Sequence, residues 1–159
     1  GSFMNGNTTG KSLRIAADLI DAGVDINHSR INLFESKPRA EVALIARALD
    51  NLEISPDGTM AWISLPYEEV AQVGALDLFP ETLINYTRMI DGVEVGMLFR
   101  EIKPGIVKVG FRSKGRVDVA SLARQFGGGG HLQAAGARQS GSLPEVIERV
   151  LEVVKDVMA

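Results

Sequence analysis

The residues best suited to chemistry lie together in the last third of the chain. Arg112, Ser113 and Lys114 follow an alternating apolar segment, and the four consecutive glycines 127–130 precede His131. A guanidinium is a planar fork that matches two phosphate oxygens, an ammonium adds a mobile charge, and Ser113 supplies a hydroxyl. Consecutive glycine amides can form an anion-binding nest, and an imidazole can donate to a phosphate oxygen. These residue types therefore predict phosphate binding.

The same residues also have ordinary structural interpretations. A glycine run after a helix is commonly a C-terminal cap followed by a flexible connection. An arginine and a lysine at a strand end are commonly solvated, and a lone histidine is commonly structural. The sequence contains neither GxGxxG nor the GKS/T phosphate-loop signature. Spacing alone therefore leaves both interpretations open.

The elements that must position these residues follow from the periodicity. Apolar residues alternate with basic residues and a glycine in the segment 106–114, which predicts a strand with one apolar and one basic face. The apolar set is Val107, Val109 and Phe111, and the basic set is Lys108, Gly110, Arg112 and Lys114. Asp118 is the predicted N-cap of a helix that ends at Phe126. Arg100, at the end of the preceding strand, is a weaker candidate that we expect to be solvated.

The first third of the chain reads as helices. Asn27 is the predicted N-cap of a second helix, and Pro38 opens a third. The predicted buried stripe of that third helix consists of Val42, Ile45, Ala46 and Leu49.

From residue 52 onward, strands and helices mix. The turn residues 55–58 predict a hairpin, and Ser142 with Glu145 predicts a capping box that opens a C-terminal core helix. We therefore expect an α/β fold, a mixed β-sheet flanked by helices and preceded by N-terminal linker helices.

Composition limits the class of protein. The 159 residues carry a net charge of −3, so a broad basic face for long duplex nucleic acid is not expected. The absence of cysteine excludes disulfides and thiolate metal sites, and two histidines leave little for an imidazole metal centre. No apolar run approaches the roughly 18 residues that a membrane span needs, and no signal peptide is recognisable. We expect a soluble cytoplasmic protein with no membrane partner.

The stretch GFRSKGRVDVASLARQFGGGGHLQAAGA, residues 110–137, resembles the signature of the DHHA1 domain. This is the C-terminal substrate-binding domain of DHH phosphoesterases, and the resemblance is to the oligoribonuclease and pAp-phosphatase branch. The RSK triplet, the VDV helix start and GGGGH followed by AAGA agree together. The N-terminal GSFMNGNTT is similar to the TDTG-S-F-x-x-x-N-T-T segment in which the catalytic domain of that family ends, so the resemblance covers almost the whole chain.

The resemblance implies a two-domain enzyme whose N-terminal domain holds two manganese ions through histidines and aspartates, including an Asp-His-His triplet. This chain contains no such triplet. The implied division is a residual edge of a missing catalytic domain in 1–37, a connecting helix in 38–51 and a DHHA1 domain in 52–159. On this basis we expect the chain to be a substrate-binding fragment that holds no cofactor and is inactive alone.

The resemblance also implies roles for individual residues and a class of partner. It places Arg112, Ser113 and Lys114 on the substrate phosphates. Gly128, Gly129, Gly130 and His131 would line a cleft that faces the missing metal site, with His131 near the scissile phosphate. The implied partner is a short single-stranded RNA or a pAp-like nucleotide, and the implied full-length parent is a homodimer. Two alternatives stay open: the C-terminal domain of a cyclic-dinucleotide phosphodiesterase, or a non-catalytic RNA-binding or oligomerisation module.

Overall fold

The computed structural model describes residues 3, 8–80 and 82–158. Residues 1, 2 and 4–7 of the N-terminal segment that carries part of the resemblance lie outside them. The described helices are α1 (Gly10–Asp21), α2 (Ile26–Phe34), α3 (Arg39–Asp50), α4 (Tyr67–Gln72), α5 (Leu83–Met89), α6 (Val119–Gln125) and α7 (Leu143–Met158). The strands are β1 (Leu52–Ile54), β2 (Met60–Leu65), β3 (Val95–Lys103), β4 (Ile106–Ser113), β5 (Gly129–His131) and β6 (Ala134–Ser140). None of these helices is long and apolar enough to cross a membrane.

The chain divides into two structural units at Pro38. The first unit contains α1 and α2, all of whose residues are described and none of which is fully buried. The N-cap of α2 is Asp25, whose carboxylate accepts from the His28 amide at 2.9 Å. The prediction of Asn27 as this cap is wrong, because Asn27 already lies inside the first turn of the helix.

The second unit is built on a six-stranded sheet in the order β1-β2-β3-β4-β6-β5. Strands β2 and β3 are parallel, whereas the other neighbouring pairs are antiparallel. The parallel pair follows from the crossover through α4 and α5, which returns the chain to the end of the sheet from which β2 started. The predicted mixed α/β sheet flanked by helices is thus confirmed, as is the predicted hairpin of β1 and β2.

Helices cover both faces of the sheet. On one face, α6 and α7 pack around a core that includes Phe99, Phe111 and Val150. On the other face, α3, α4 and α5 pack around Ile63 and Leu83. Helix α5 reaches as far as β4, while β6 and β5 take their helix contacts mainly from α6 on the opposite face. The second layer of helices therefore ends at β4.

Helix α3 turns a different side to the sheet from the one predicted. Leu44 and Ala48 are fully buried, whereas Val42 and Leu49 of the predicted stripe are 54% and 44% exposed. Apolar residues occur around most of this helix, so periodicity did not identify the buried side. The helix packs against β2 and α5, which means that most of the predicted connecting segment 38–51 lies within the second unit.

Carboxylates fix the starts of α6 and α7, the two helices that cover the Phe111 side of the sheet. Asp118 accepts from the amides of Ala120 and Ser121 at 2.9 and 3.1 Å, as predicted. A hydrogen bond from the Ser121 hydroxyl is the largest cause of the lowered pKa of Asp118. A hydrogen bond from the Ser142 hydroxyl likewise lowers the pKa of Glu145. Because both pKa values are lowered by folding, these contacts stabilise the fold above the ordinary carboxyl pKa near 4 and are lost as pH falls through the lowered values.

The glycine run is a helix cap that leads into an edge strand. The amides of Gly127 and Gly128 donate to the carbonyls of Arg124 and Ala123 at 3.0 and 2.8 Å, and Gly127 has a φ of +69°. These two bonds form the Schellman arrangement that ends many helices. The remaining residues, Gly129–His131, form β5 on the edge of β6. The first two glycine amides are therefore part of a cap and not of an anion-binding nest.

A buried glutamate holds the loop that follows β4. The side chain of Glu94 accepts through one oxygen from the amides of Gly115, Arg116 and Val117 at 3.1, 2.7 and 3.2 Å. Its other oxygen lies 3.6 Å from Nε of Arg116, and its main-chain carbonyl accepts from the Lys114 amide at 3.0 Å. Glu94 is 5% exposed, so the loop is tied to the start of β3 by a carboxylate that water barely reaches.

We predict different effects of alanine at two neighbouring glycines. A Cβ at Gly128 would overlap the carbonyl oxygen of Gly136, whereas a Cβ at Gly129 meets nothing within 4 Å. Gly128→Ala should lower the free energy of unfolding by about 1–3 kcal/mol, and Gly129→Ala should change it by less than about 0.5 kcal/mol. Urea unfolding midpoints would measure both, and equal midpoints for the two variants would contradict this account of β5.

We also predict that Glu94→Gln destabilises the fold. The amide oxygen that replaces the carboxylate is a weaker acceptor, and hydrogen bonds to a charged group contribute about 1.5–3 kcal/mol each. The expected loss in the free energy of unfolding is about 1–3 kcal/mol, measured by urea unfolding. Glu148→Gln, at an exposed position in α7, is the control and should leave the midpoint unchanged. A Glu94 variant as stable as this control would show that the loop does not depend on the charge.

Candidate functional site

Three neighbouring strands bring Arg112 and His131 onto one face of the sheet. Arg112 of β4 pairs with Ala134 of β6, and Ala134 pairs with His131 of β5. Residues paired directly across antiparallel strands lie on the same face, and each strand adds a spacing of about 4.8 Å. The backbones of Arg112 and His131 are therefore about 10 Å apart.

A row of glycines lies beside this pair. Gly110 of β4 pairs with Gly136 of β6, which pairs with Gly129 of β5. On the next row, Lys108 pairs with Arg138. We call this surface of β4, β6 and β5 the basic face, made of two rows with charged or imidazole side chains and a glycine row between them. The predicted alternation of Lys108, Gly110 and Arg112 on one side of β4 agrees with the register and with the burial of the opposite side.

A cleft of about 300 Å³ lies where the basic face meets α5. Its walls and floor are formed by Phe79, Pro80, Leu83, Ile84, Leu98, Arg100, Lys108, Val109, Gly110, Arg112, Ala135 and Gly136. Apolar side chains of α5 form one wall, the glycines form the floor, and three cationic side chains stand around it. The cleft is thus suited to a ligand that combines an anionic part with an apolar part.

The RSK triplet does not act as one surface in this structure. Arg112 is half-buried, lines the cleft and donates from Nη1 to the Phe111 carbonyl at 3.0 Å. Ser113 is fully buried on the opposite side of β4, and its hydroxyl has no hydrogen-bond partner within the described part of the chain. Lys114 lies beyond the strand end, where its exposed ammonium donates to the Ile90 carbonyl at 3.1 Å. The structure therefore brings Arg112, but not Ser113, to the basic face.

The predicted site glycines Gly128, Gly129 and Gly130 differ in whether the fold has space for a side chain at each position. Cβ atoms at Gly128 and Gly130 would overlap the backbone of β6, so close packing of the edge strand already requires glycine there. Gly129 faces open space and has no such requirement. It lies on the basic face two residues before His131, which is exposed. Among these glycines, Gly129 has the position expected of a residue that a ligand approaches.

The expectation that Arg100 is solvated is wrong. Its side chain is 4% exposed and donates from Nη2 to the carbonyls of Ala75 and Leu76 at 2.9 and 3.1 Å, and from Nη1 to that of Leu78. Desolvation lowers the pKa of its guanidinium. Arg100 pairs across the sheet with Lys108, so it belongs to the same face. Its position two residues after Leu98 indicates that both side chains lie on the same face of β3. The sequence contains no comparable signal that Arg100 is buried.

Phe79 was missed by the sequence analysis. Its ring lies 4.1 Å from the Arg100 guanidinium carbon and 5.8 Å from the Lys108 ammonium, both measured to the ring centroid. It is 53% exposed at the edge of the cleft. It lies in the connection before α5, where no periodic pattern singles out one aromatic residue.

The described residues provide no group of three or more histidine, aspartate or glutamate side chains that could hold a metal ion. They therefore do not fit the manganese centre that the family resemblance implies for the catalytic domain. That centre stays a prediction about residues outside this chain.

Sequence comparison agrees with the resemblance. Residues 81–159 match the DHHA1 domain family. The bifunctional oligoribonuclease and PAP phosphatase NrnA of Thermus thermophilus is 32% identical over 157 residues, which cover 98% of this chain and 46% of that protein. The protein of the same name from Bacillus subtilis is 31% identical over 137 residues, 86% of this chain and 42% of the relative. The chain thus spans about half the length of the curated relatives it matches.

Two solved structures share the fold. An exopolyphosphatase-related protein from Bacteroides fragilis superposes with a TM-score of 0.83 at 26% identity, over 94% of this chain and 45% of that one. The pGpG-specific phosphodiesterase PggH from Vibrio cholerae superposes with a TM-score of 0.52 at 12% identity, over 98% of this chain and 55% of that one, which shows likeness of fold alone. By its signature, its sheet and its relatives, this chain belongs to the DHHA1 domain family of DHH phosphoesterases related to NrnA.

Proposed function

We propose that this chain is the substrate-binding part of a manganese-dependent phosphoesterase that acts on short oligoribonucleotides and on pAp-like 3′-phosphonucleotides. The observation that carries the proposal is the placement of Arg112 and His131 on one face of the sheet, beside a glycine row. The names of the NrnA relatives supply the substrate class. The proposal includes a homodimeric full-length protein in the cytoplasm.

In this proposal the chain binds and orients the substrate. The guanidinium of Arg112 holds two oxygens of one phosphate, and the exposed imidazole of His131 donates to the phosphate that is to be cleaved. Lys108 and Lys114 add charge on either side of Arg112. Gly129 lets the sugar-phosphate backbone approach the sheet, because no side chain stands there.

The charge distribution favours short substrates. The chain carries a net charge of −3, so the cations of the basic face form a local cluster on a molecule that on balance repels a long polyanion. A few cationic groups can hold a few phosphates, which is the number that a nucleotide or a short oligomer offers.

Replacing Arg112 with alanine tests the phosphate contact. We expect the dissociation constant for a 5′-phosphorylated RNA dinucleotide to rise about tenfold, because a charge-assisted hydrogen bond contributes about 1.5–3 kcal/mol. The slope of log K against log salt should become shallower by about 0.7, since one fewer counterion is released. Calorimetric titrations at several salt concentrations would measure both quantities.

The control for this variant is Lys155→Ala, on α7 and therefore on the far side of the sheet, which should change neither quantity. An unchanged salt slope for Arg112→Ala would show that Arg112 does not hold a phosphate. Binding of cyclic di-AMP in preference to the dinucleotide would favour the cyclic-dinucleotide alternative. Tight binding of folded tRNA with no binding of short oligomers would favour a non-catalytic RNA-binding module.

The chain alone should hydrolyse nothing. With manganese added to the pure 159-residue chain, we expect neither a labelled RNA dinucleotide nor pAp to be cleaved, because the proposal places the metal ligands in a different domain. Product analysis by chromatography after long incubation would test this. Manganese-dependent turnover that co-purifies with the chain and disappears in a His131→Ala variant would contradict the assignment.

A further inference from the structure

The cleft contains apolar surface that a phosphate cannot use. Phe79, which is 53% exposed, and the partly buried Leu98 of β3 supply most of it, because Leu83 and Ile84 of α5 also line the cleft but are almost fully buried. A phosphate is strongly hydrated and gains nothing from such walls, whereas the flat faces of a nucleobase are released from water on binding there. The apolar wall therefore indicates a ligand group other than the phosphate.

The floor of the cleft is flat because two paired residues lack side chains. A Cβ at Gly110 would lie 3.2 Å from Cδ1 of Ile84, and a Cβ at Gly136 would lie 3.0 Å from the Val109 carbonyl oxygen. Both distances are tighter than ordinary contact, so no side chain fits at either position without a shift, and Ile84 already covers Gly110. The surface that the cleft offers to a planar group is therefore the exposed ring of Phe79 and not the sheet at Gly110.

Phe79 is held in place at the edge of this floor. Arg100 donates to the carbonyls of Ala75, Leu76 and Leu78, which fixes the segment immediately before Phe79. The guanidinium of Arg100 also lies 4.1 Å from the ring centroid. Since the ring remains 53% exposed, a fixed aromatic surface is presented at the cleft.

We infer that the cleft binds a nucleobase of the substrate, with Phe79 as the stacking surface and Arg100 as the positioning residue that holds Phe79. The inference rests on the proposed function, because it places the base of the nucleotide whose phosphate Arg112 binds. The inference limits the ligands of the cleft to molecules that carry an aromatic base. Phosphate chains without a base, such as inorganic polyphosphate, would use the basic face but not the cleft.

The test compares ligands with and without a base. A 5′-phosphorylated RNA dinucleotide that contains 2-aminopurine reports stacking by fluorescence quenching, and ribose 5-phosphate and tripolyphosphate serve as ligands without a base. For Phe79→Leu we expect the dissociation constant for the dinucleotide to rise about tenfold and the quenching to be lost. The constants for the two ligands without a base should not change.

Two further variants control for folding and for aromatic surface in general. Phe79→Trp retains a stacking ring and should bind the dinucleotide as tightly as the unmodified chain. Phe34 is 57% exposed in the first unit, so Phe34→Leu removes a comparable aromatic ring and should change nothing. Thermal unfolding of each variant would verify that the binding measurements are made on folded protein.

Arg100→Lys tests the positioning role. It keeps a positive charge but cannot donate to three carbonyls in the same planar arrangement. We expect the dinucleotide to bind more weakly and with less quenching, while tripolyphosphate binds as before. A purely structural role would weaken the binding of both ligands together.

The outcomes separate the inference from the proposed function. If Phe79→Leu changes neither affinity nor quenching, or weakens all three ligands equally, the inference is wrong while the phosphate contact of Arg112 stands. If the dinucleotide binds independently of Arg112, or not at all to the unmodified chain, the proposed function itself is overturned. A tenfold loss confined to the ligand with a base supports the inference.

Discussion

The close packing of α5 on β3 determines much of the second unit. Gly96 lies so near this helix that a Cβ there would overlap the hydroxyl of Thr87, a fully buried residue whose own hydroxyl donates to the Ile84 carbonyl. Any side chain at position 96 would lift the helix off the sheet. One strand further on, Gly110 lies beneath Ile84 in the same way. The distance of α5 from the sheet is thus set by two close contacts, between Gly96 and Thr87 and between Gly110 and Ile84. The same distance determines the height of the cleft wall.

The change from two-sided to one-sided burial across the sheet explains where the candidate site lies. Most residues of β2, and of β3 as far as Arg100, are buried, whereas β4 alternates between buried and accessible positions. None of the described helices of the second unit covers this sheet face beyond α5, so charged residues at Lys108 and Arg112 cost little there. Arg100 lies on the neighbouring strand β3, beneath α5 and the segment that precedes it. Its guanidinium there donates hydrogen bonds to three main-chain carbonyls. Burial and hydrogen bonding change together from one strand to the next.

Most features that depend on neighbouring residues were readable from the sequence, with the N-cap of α2 as an exception, and features that depend on distant residues were not. The alternation in β4, the Asp118 cap and the β1–β2 hairpin are local and agree with the structure. The order of the strands, the parallel pairing of β2 with β3 and the buried side of α3 are set by packing between segments far apart in the chain. Arg100 shows the physical reason: its acceptors lie 22–25 residues upstream, and only the folded loop brings them together. The glycine run has one feature of each kind. Its helix cap depends on neighbouring residues and was considered from the sequence, whereas its close packing against β6 depends on a separate strand.

The Glu94 carboxylate occupies the three successive amides that come directly after the basic strand. Such converging amides are the groups by which many proteins chelate an external oxyanion, with a directionality that salt barely weakens. Here the protein supplies the oxyanion itself, as part of its own architecture. The neighbouring basic face presents cationic side chains instead of converging amides, and attraction between exposed charges is screened by salt. The fold thus commits its converging amides to the construction of the loop, so under the proposed function a phosphate at the basic face would be held by side chains and would exchange readily.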